Sequence, residues 1–252
     1  MGDGLVTAET PGGPRLSVVL AVFNERENLG PLIAEITDAL RPMPHEIVAV
    51  DDASTDGSLV ELERLTSAYH TLRVTSLRRR SGQSAALAAG WDAARGPLIA
   101  TLDADGQNDP ADLERLLRPV DAGDADAAVG IRNRRQDTRW KRFQSRTANR
   151  VRDWITGDSV ADTGCGLRVI PADLVRRLPR FKGMHRFLPT LMRREGARVV
   201  EIPVRHRPRL HGRTKYGMWG RVFVGIWDAL GVRWLLERRL PASTRKDAAD
   251  DA

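Results

Sequence analysis

Between residues 16 and 131 short apolar runs alternate with apolar residues at helical spacing, and that alternation confines the chain to a parallel sheet covered by helices. Residues 16–23 (LSVVLAVF) form a continuous apolar run of the kind that is buried on both faces of a sheet. Leu29, Leu32, Ile33, Ile36 and Leu40 then repeat with the period of a helix. The spacing predicts strands over 45–50, 72–77, 97–102 and 126–131, with helices near Leu59, Leu62 and Leu65 and over 83–94. Asp109 before Pro110 places a capping residue ahead of proline at a first helical position, so another helix starts there. The fold class expected is α/β, with a mostly parallel central sheet. A chain of 252 residues with 41% hydrophobic and 29% charged residues has the composition of one large globular domain, not of a disordered, collagenous or coiled-coil chain.

In such sheets ligands bind where the carboxyl ends of the strands gather their loops. Here those ends read Phe23-Asn24-Glu25, Asp51-Asp52, Arg78-Arg79-Arg80, Asp103-Ala104-Asp105-Gly106-Gln107 and Arg132. Carboxylates, amides and arginines at all five ends mark that edge as the active site. No GxxxxGK[ST] loop occurs, and no GxGxxG follows the first strand, which disfavours P-loop and dinucleotide chemistry. Asp103, Asp105 and Gln107 are spaced i, i+2, i+4, which in an extended segment puts all three on one side. Two carboxylates and an amide oxygen suit Mg²⁺ or Mn²⁺, although a solvated loop capping the next helix would use the same residues.

Cys165 is the single cysteine, so there is no internal disulfide, and no Cys/His cluster suggests zinc. Without a nucleophilic triad around it, Cys165 reads as structural, and His206 and His211 read as surface histidines of a basic loop. No basic stretch followed by an apolar core opens the chain, and no apolar run approaches the ~20 residues of a spanning helix. The formal net charge of +7 fits an anionic partner: nucleic acid, a membrane surface or a phosphorylated substrate. Nucleic acid is disfavoured, because aromatic residues make up only 5%, no recognition motif is present and the strand ends are acidic.

The ordered strings AVFNERENL, AVDDASTDGS, RRRSGQSAALAAG and LDADGQNDP resemble the family 2 glycosyltransferases of the GT-A fold. More narrowly they resemble dolichol-phosphate mannose synthase and the bacterial polyprenyl-phosphate glycosyltransferases. DTGCGLR (162–168), HRFLP (185–189) and RLHGRTKY (209–216) extend the likeness across about 15–217. The resemblance implies inverting, metal-dependent transfer of a hexose from a nucleotide sugar of the GDP-mannose or UDP-glucose type to a polyprenyl phosphate. It implies that Ala21, Phe23, Glu25, Val50, Asp52, Asp103, Ala104 and Asp105 contact the donor, and that Asp103, Asp105 and Gln107 hold Mg²⁺ or Mn²⁺. Where the family usually shows Pro and Tyr this chain has Ala21 and Phe23, so a stacking ring remains without its hydroxyl. Arg132, Arg209 and Lys215, with Asp105, are the catalytic set it implies, and Arg132, Lys141 and Ser145 would meet the acceptor phosphate.

The stretch 132–152 carries nine Lys or Arg against Asp137 alone, which suits acceptor anchoring but is also a common solvated helix face. Residues 218–240 hold three of the six tryptophans and predict an amphipathic helix, either interfacial or packed on the catalytic domain or a partner. The organisation expected is a loose tail over 1–14, a catalytic domain over 15–217, that helix, and a disordered tail over 241–252. Its place would be cytoplasmic, docked peripherally on the cytoplasmic face of a membrane or on a membrane partner protein. The rival acceptor is a saccharide or another non-lipid molecule, whose hydroxyl would normally call for a carboxylate base.

Overall fold

The computed structural model of the protein describes residues 12–132, 157, 158, 160, 162, 164–209 and 218–238, with side chains in the last stretch from residue 227 onward. Residues 1–11 of the expected N-terminal tail and all of 241–252 lie outside the described residues. The elements run β1 (Leu16–Val22), α1 (Arg26–Ala39), β2 (His45–Asp51), α2 (Ser58–Thr66), β3 (Leu72–Ser76), α3 (Gln83–Ala93) and β4 (Leu98–Asp103). They continue with α4 (Leu113–Asp121), β5 (Ala127–Arg132), β6 (Arg168–Pro171), α5 (Ala172–Arg177), α6 (Leu188–Arg194), β7 (Val199–Val204) and α7 (Met218–Glu237). A 3₁₀ turn, Pro110–Asp112, leads into α4, and Asp109 caps it by accepting from the Ala111 N–H at 3.1 Å.

The strands form one seven-stranded sheet in the order β3-β2-β1-β4-β6-β5-β7. Every expected strand is present, and β1 pairs in parallel with both β2 and β4. Two further strands carry no strand prediction. β6 has four residues and runs antiparallel between β4 and β5, too short for its alternation to be read. β7 (VVEIPV) is partly exposed and contains Pro203, which suits its position at the sheet edge.

Alternation along β1 divides the core between two layers. Val18, Leu20 and Val22 meet Leu29, Ile33 and Ile36 of α1, Leu62 of α2 and Leu116 of α4 on one face. Val19 faces the other layer, with Leu87 and Trp91 of α3, Leu191 of α6, and Ala229 and Val232 of α7. α7 thus packs its inner side against the domain through Ala229 and Val232. The Asp228 side chain reaches inward to Arg186 at 3.1 Å.

α3 approaches β1 closely because Gly90 has no side chain. A Cβ there would lie 2.3 Å from Val19 Cγ1 and 3.2 Å from Val50 Cγ2. That approach sets where the first turn of α3 stands at the carboxyl edge. Gly90→Ala is expected to destabilise the protein by about 1–3 kcal/mol through overpacking, against the gain of about 1 kcal/mol that alanine brings to a helix interior. Urea unfolding checks this: an unchanged or higher midpoint would mean that α3 can move off β1 without loss.

Candidate functional site

Register brings the predicted strand ends together before any loop is considered. Val22 stands beside Asp51 and Ala21 beside Asp103, because β1 lies between β2 and β4. The strand order reverses at β1, which is where an open α/β sheet leaves a crevice. The loops above are then laced to each other. The Asn24 N–H donates to Ser54 Oγ at 3.0 Å and the Thr55 N–H to Asn24 Oδ1 at 2.8 Å. The Glu25 N–H donates to Ser58 Oγ at 3.0 Å and the Arg26 N–H to Asp56 Oδ2 at 3.2 Å. Asn24 and Ala53 hold left-handed φ of 53° and 55°, a conformation Asn tolerates better than most residues and Ala does not favour. Asp52 ties in the third loop, accepting from the Ser81 and Gly82 N–H groups at 2.6 and 2.8 Å.

These loops enclose an open cleft of about 270 Å³. Of the residues expected to contact the donor, Ala21, Phe23, Glu25, Asp52, Asp103, Ala104 and Asp105 line it, together with Arg209. Asp52 thus fastens the loop before α3 and is a wall of the cleft as well. Two expected residues do not reach the cleft with their side chains. Val50 is fully buried beneath α3 beside Gly90, leaving only its main chain for a ligand. Gln107 donates from its side-chain amide to the Arg207 carbonyl at 3.3 Å and is not part of the lining. The reason is local: β4 ends at Asp103, and the chain turns through Gly106 at φ 70° instead of staying extended. The i, i+2, i+4 geometry expected for Asp103, Asp105 and Gln107 therefore stops after Asp103.

Arg80 and Gln83 also line the cleft; the sequence places Arg80 at a strand end on this edge and gives Gln83 no role. The Arg80 guanidinium lies over the Phe23 ring, 4.1 Å from its centroid. The Gln83 amide donates to Asp103 Oδ1 at 2.9 Å. Nothing in the spacing singles out Gln83; its place at the first turn of α3, above the end of β4, does.

Charge dominates the floor of the site. Surrounding protein desolvates Asp103 and Asp105 repels it, so its pKa rises to about 6 in spite of nearby Arg168 and Arg132. Arg168 is buried behind Asp103 and donates to the His185 carbonyl at 3.0 Å. Burial and the charges of Arg186 and Arg168 push His185 down to about 3, so its ring is neutral and shares a 2.8 Å hydrogen bond with Ser84. Arg132, at the fifth strand end, turns to Asp162 instead of into the cleft, donating from Nε and an outer nitrogen at 2.6 and 2.8 Å. Burial works against the Asp162 carboxylate, but these bonds hold its pKa below the ordinary range.

Glycines give these charged groups room. A Cβ on Gly164 would sit 2.6 Å from an Arg132 nitrogen, and one on Gly166 would sit 2.4 Å from Asp103 Cγ. Gly164-Cys165-Gly166 thus serves close approach of protein side chains. Cys165 between them is buried, as a structural residue would be. Lys141, Ser145, Lys215, His211 and most of the basic stretch lie outside the described residues.

Among the described residues no three His, Cys, Asp or Glu side chains form a metal-ligating group. Asp103 and Asp105 still fit a hard divalent cation, because Mg²⁺ often takes only one or two carboxylates and completes its shell with water and substrate phosphate oxygens. Their position on the wall of an open cleft leaves room for those ligands.

A family profile, Glycosyl transferase family 2, matches residues 17–187. The dodecaprenyl-phosphate galacturonate synthase of Rhizobium johnstonii is 37% identical over 227 residues, 88% of this chain and 67% of that protein. The undecaprenyl-phosphate 4-deoxy-4-formamido-L-arabinose transferase of Edwardsiella ictaluri is 37% identical over 207 residues, 81% of this chain and 63% of its own length. The chain thus spans about two thirds of the length of these relatives. Solved structures share the fold. The mannosyl-3-phosphoglycerate synthase of Rubrobacter xylanophilus superposes with a TM-score of 0.65 at 19% identity, over 93% of this chain and 78% of that one. A mannosyltransferase from Pyrobaculum calidifontis, solved with GDP-Man and Mn²⁺, gives 0.60 at 17% identity over 89% and 74%.

Gly166→Ala should displace the Asp103 carboxylate while leaving the layers of the core intact. The expected result is Mn²⁺ binding weakened about tenfold or more, as when a ligand's supporting shell is disturbed, with the melting temperature lowered by only a few degrees. Titration of Mn²⁺ followed by electron paramagnetic resonance reads the first and a thermal melt the second; unaltered Mn²⁺ binding would contradict the assignment.

Proposed function

The chain belongs to glycosyl transferase family 2, and on that premise we propose that it moves a sugar from a nucleoside diphosphate to a polyprenyl phosphate, with Mg²⁺ or Mn²⁺ held by Asp103 and Asp105. The observation that carries this reading is the convergence of four strand ends on one cleft, with a stacking ring and an acceptor carboxylate on one side and paired aspartates on the other. The named activities of the two relatives support the lipid acceptor.

In this reading Phe23 offers its ring to the base, and Asp52, an acceptor when ionised, takes a base N–H or a ribose hydroxyl. Each Asp52 oxygen already accepts one backbone N–H and keeps a lone pair for the ligand. Asp103 and Asp105 would hold the cation, which when bound would supply positive charge against that developing on the departing diphosphate. Arg209 stands in the cleft to meet phosphate oxygens, and Lys215 is assigned the same task. Arg132, held by Asp162, adds positive potential behind Asp103. The bond from the anomeric carbon to the diphosphate breaks through an oxocarbenium-like state, and a phosphate oxygen of the acceptor bonds to the opposite face, inverting the centre. A phosphate monoester has a second pKa of about 6 and is largely dianionic at neutral pH. It attacks without a general base, so the site needs no carboxylate dedicated to proton abstraction.

The lipid has to be reached from outside the bilayer by the described part of the chain, since no described helix is long and apolar enough to cross a membrane. α7 supports a peripheral mode. Its inner face packs through Ala229 and Val232, while Trp227, Leu230 and Trp234 are 73%, 44% and 58% exposed. Positions 227, 230 and 234 share one helix face, and indole rings favour the boundary between apolar and wet surroundings. We assign this stripe to the cytoplasmic face of the membrane, with Arg238, which stacks on Trp234 at 5.4 Å, near the head groups. Trp227→Ser combined with Trp234→Ser is expected to abolish co-sedimentation with anionic vesicles while nucleotide binding persists; sedimentation equal to wild type would remove α7 as the docking element.

The reaction is tested by transfer of radiolabelled sugar from a panel of GDP- and UDP-sugars into organic-extractable polyprenyl phosphate, with Mn²⁺ or Mg²⁺ and with EDTA. Label in the organic phase is expected only with metal, and Asp105→Ala should reduce it by at least about a hundredfold. Donor hydrolysis without lipid product would move the acceptor to a saccharide or another non-lipid molecule. No use of any donor by folded protein would refute the proposal.

A further inference from the structure

The strand β7 continues into a strap, 205–209, that runs back over the aspartate loop and is bonded to it along its length. Asn108 and His206 pair as an antiparallel bridge, and the Arg207 N–H donates to the Gln107 carbonyl at 2.8 Å. The Gln107 amide returns a bond to the Arg207 carbonyl at 3.3 Å. Side chains add to the fastening: Arg207 reaches Asp109 at 3.0 Å and Glu35 at 2.6 Å, and the Arg205 N–H donates to Asp112 at 2.6 Å. Gln107, which sequence spacing points to as a ligand, is thereby part of the fastening. Held this way, the strap delivers its next charged side chain, Arg209, into the cleft, where the guanidinium donates to Asp105 Oδ2.

We propose that Arg209 occupies the metal's place at Asp105, and that a divalent cation and Arg209 exchange on that carboxylate, the guanidinium moving to the phosphates of the bound substrates. The inference rests on the reading of Asp103 and Asp105 as the metal carboxylates. A guanidinium and a divalent cation on one carboxylate repel each other strongly at hydrogen-bond range in a partly buried site. Proton loss cannot relieve that repulsion. A guanidinium keeps its proton in proteins. Movement is the remaining response, and phosphate oxygens match the guanidinium fork as well as a carboxylate does. With the strap backbone fastened at Gln107, Asn108 and Asp109, the displacement is confined to Arg209. The exchange imposes an order. Until metal arrives the guanidinium is committed to Asp105, so the anchor for phosphate is assembled by the event that readies the leaving group.

The test measures Mn²⁺ affinity of the full chain without nucleotide, by electron paramagnetic resonance of the free ion. Arg209→Gln is expected to bind Mn²⁺ about tenfold more tightly than wild type, the scale of coupling between two ligands that share one group. Arg209→Lys, which keeps the charge, should stay close to wild type. Tighter Mn²⁺ binding should be accompanied by loss of Mn²⁺-dependent retention of a short-chain polyprenyl phosphate. Equal or weaker Mn²⁺ binding by Arg209→Gln, with a melt showing it folded, overturns the exchange. Asp105→Asn separates this from the underlying reading: if it binds Mn²⁺ as well as wild type does, Asp105 is not a metal carboxylate and both readings fall.

Discussion

Crowding of like charge at one end of a sheet governs the arrangement of this molecule. A parallel sheet collects its strand ends on one edge, and here that edge receives Glu25, Asp52, Asp103 and Asp105 around a single cleft. Carboxylates so placed cannot all stay ionised without compensation, and Asp103 is raised to about 6 by burial first and by the Asp105 charge second. Each remedy comes from a different part of the chain. Arg168 on β6 backs Asp103 from within the core, Gln83 on α3 donates to it from the side, and Arg209 from the strap neutralises Asp105. Asp162 keeps Arg132 paired and oriented while its charge still reaches Asp103. The carboxylates of this edge are thus met by positive charge from several directions within the chain.

Rigidity has the same origin. The loops after β1 and β2 are bonded to each other through Asn24, Ser54, Thr55 and Ser58, and Asp52 brings in the loop before α3. A nucleotide therefore meets walls that are in place before it binds, which removes ordering cost from the binding step. The opposite edge of the sheet is closed by a buried polar cluster. There Glu46 accepts from Ser17, Arg73 and the Arg95 N–H at 2.7, 2.8 and 2.7 Å, so the charge of that carboxylate is fully answered. Burial raises the Glu46 pKa, and these bonds more than reverse it.

The parts of this architecture that sequence reveals are those fixed by short-range rules. Apolar periodicity finds β1 to β5 and the intervening helices, because a strand buried on both faces and a helix buried on one leave different spacings. The turn after β4 is harder: Asp103, Asp105 and Gln107 look alike on an extended chain, and only the left-handed Gly106 separates the first two from the third. Val50 illustrates another limit, since alternation decides which face of β2 it occupies and that face belongs to α3. Gln83, Arg80, Asp162 and Arg168 owe their roles to contacts across 20 to 57 residues of chain or more, which no local pattern encodes. Gly164 and Gly166 are conspicuous in the sequence, yet what they accommodate is an arginine and an aspartate of this chain.

The reversed direction of β6 has a topological consequence. Because it runs antiparallel between β4 and β5, the chain leaves the sheet at Arg132 and comes back into it at Arg168 on the same edge. The bidentate bond from Arg132 to Asp162 pins the two ends together. One ion pair thus ties together the ends of β5 and β6, and with them the two arginines whose charges reach Asp103.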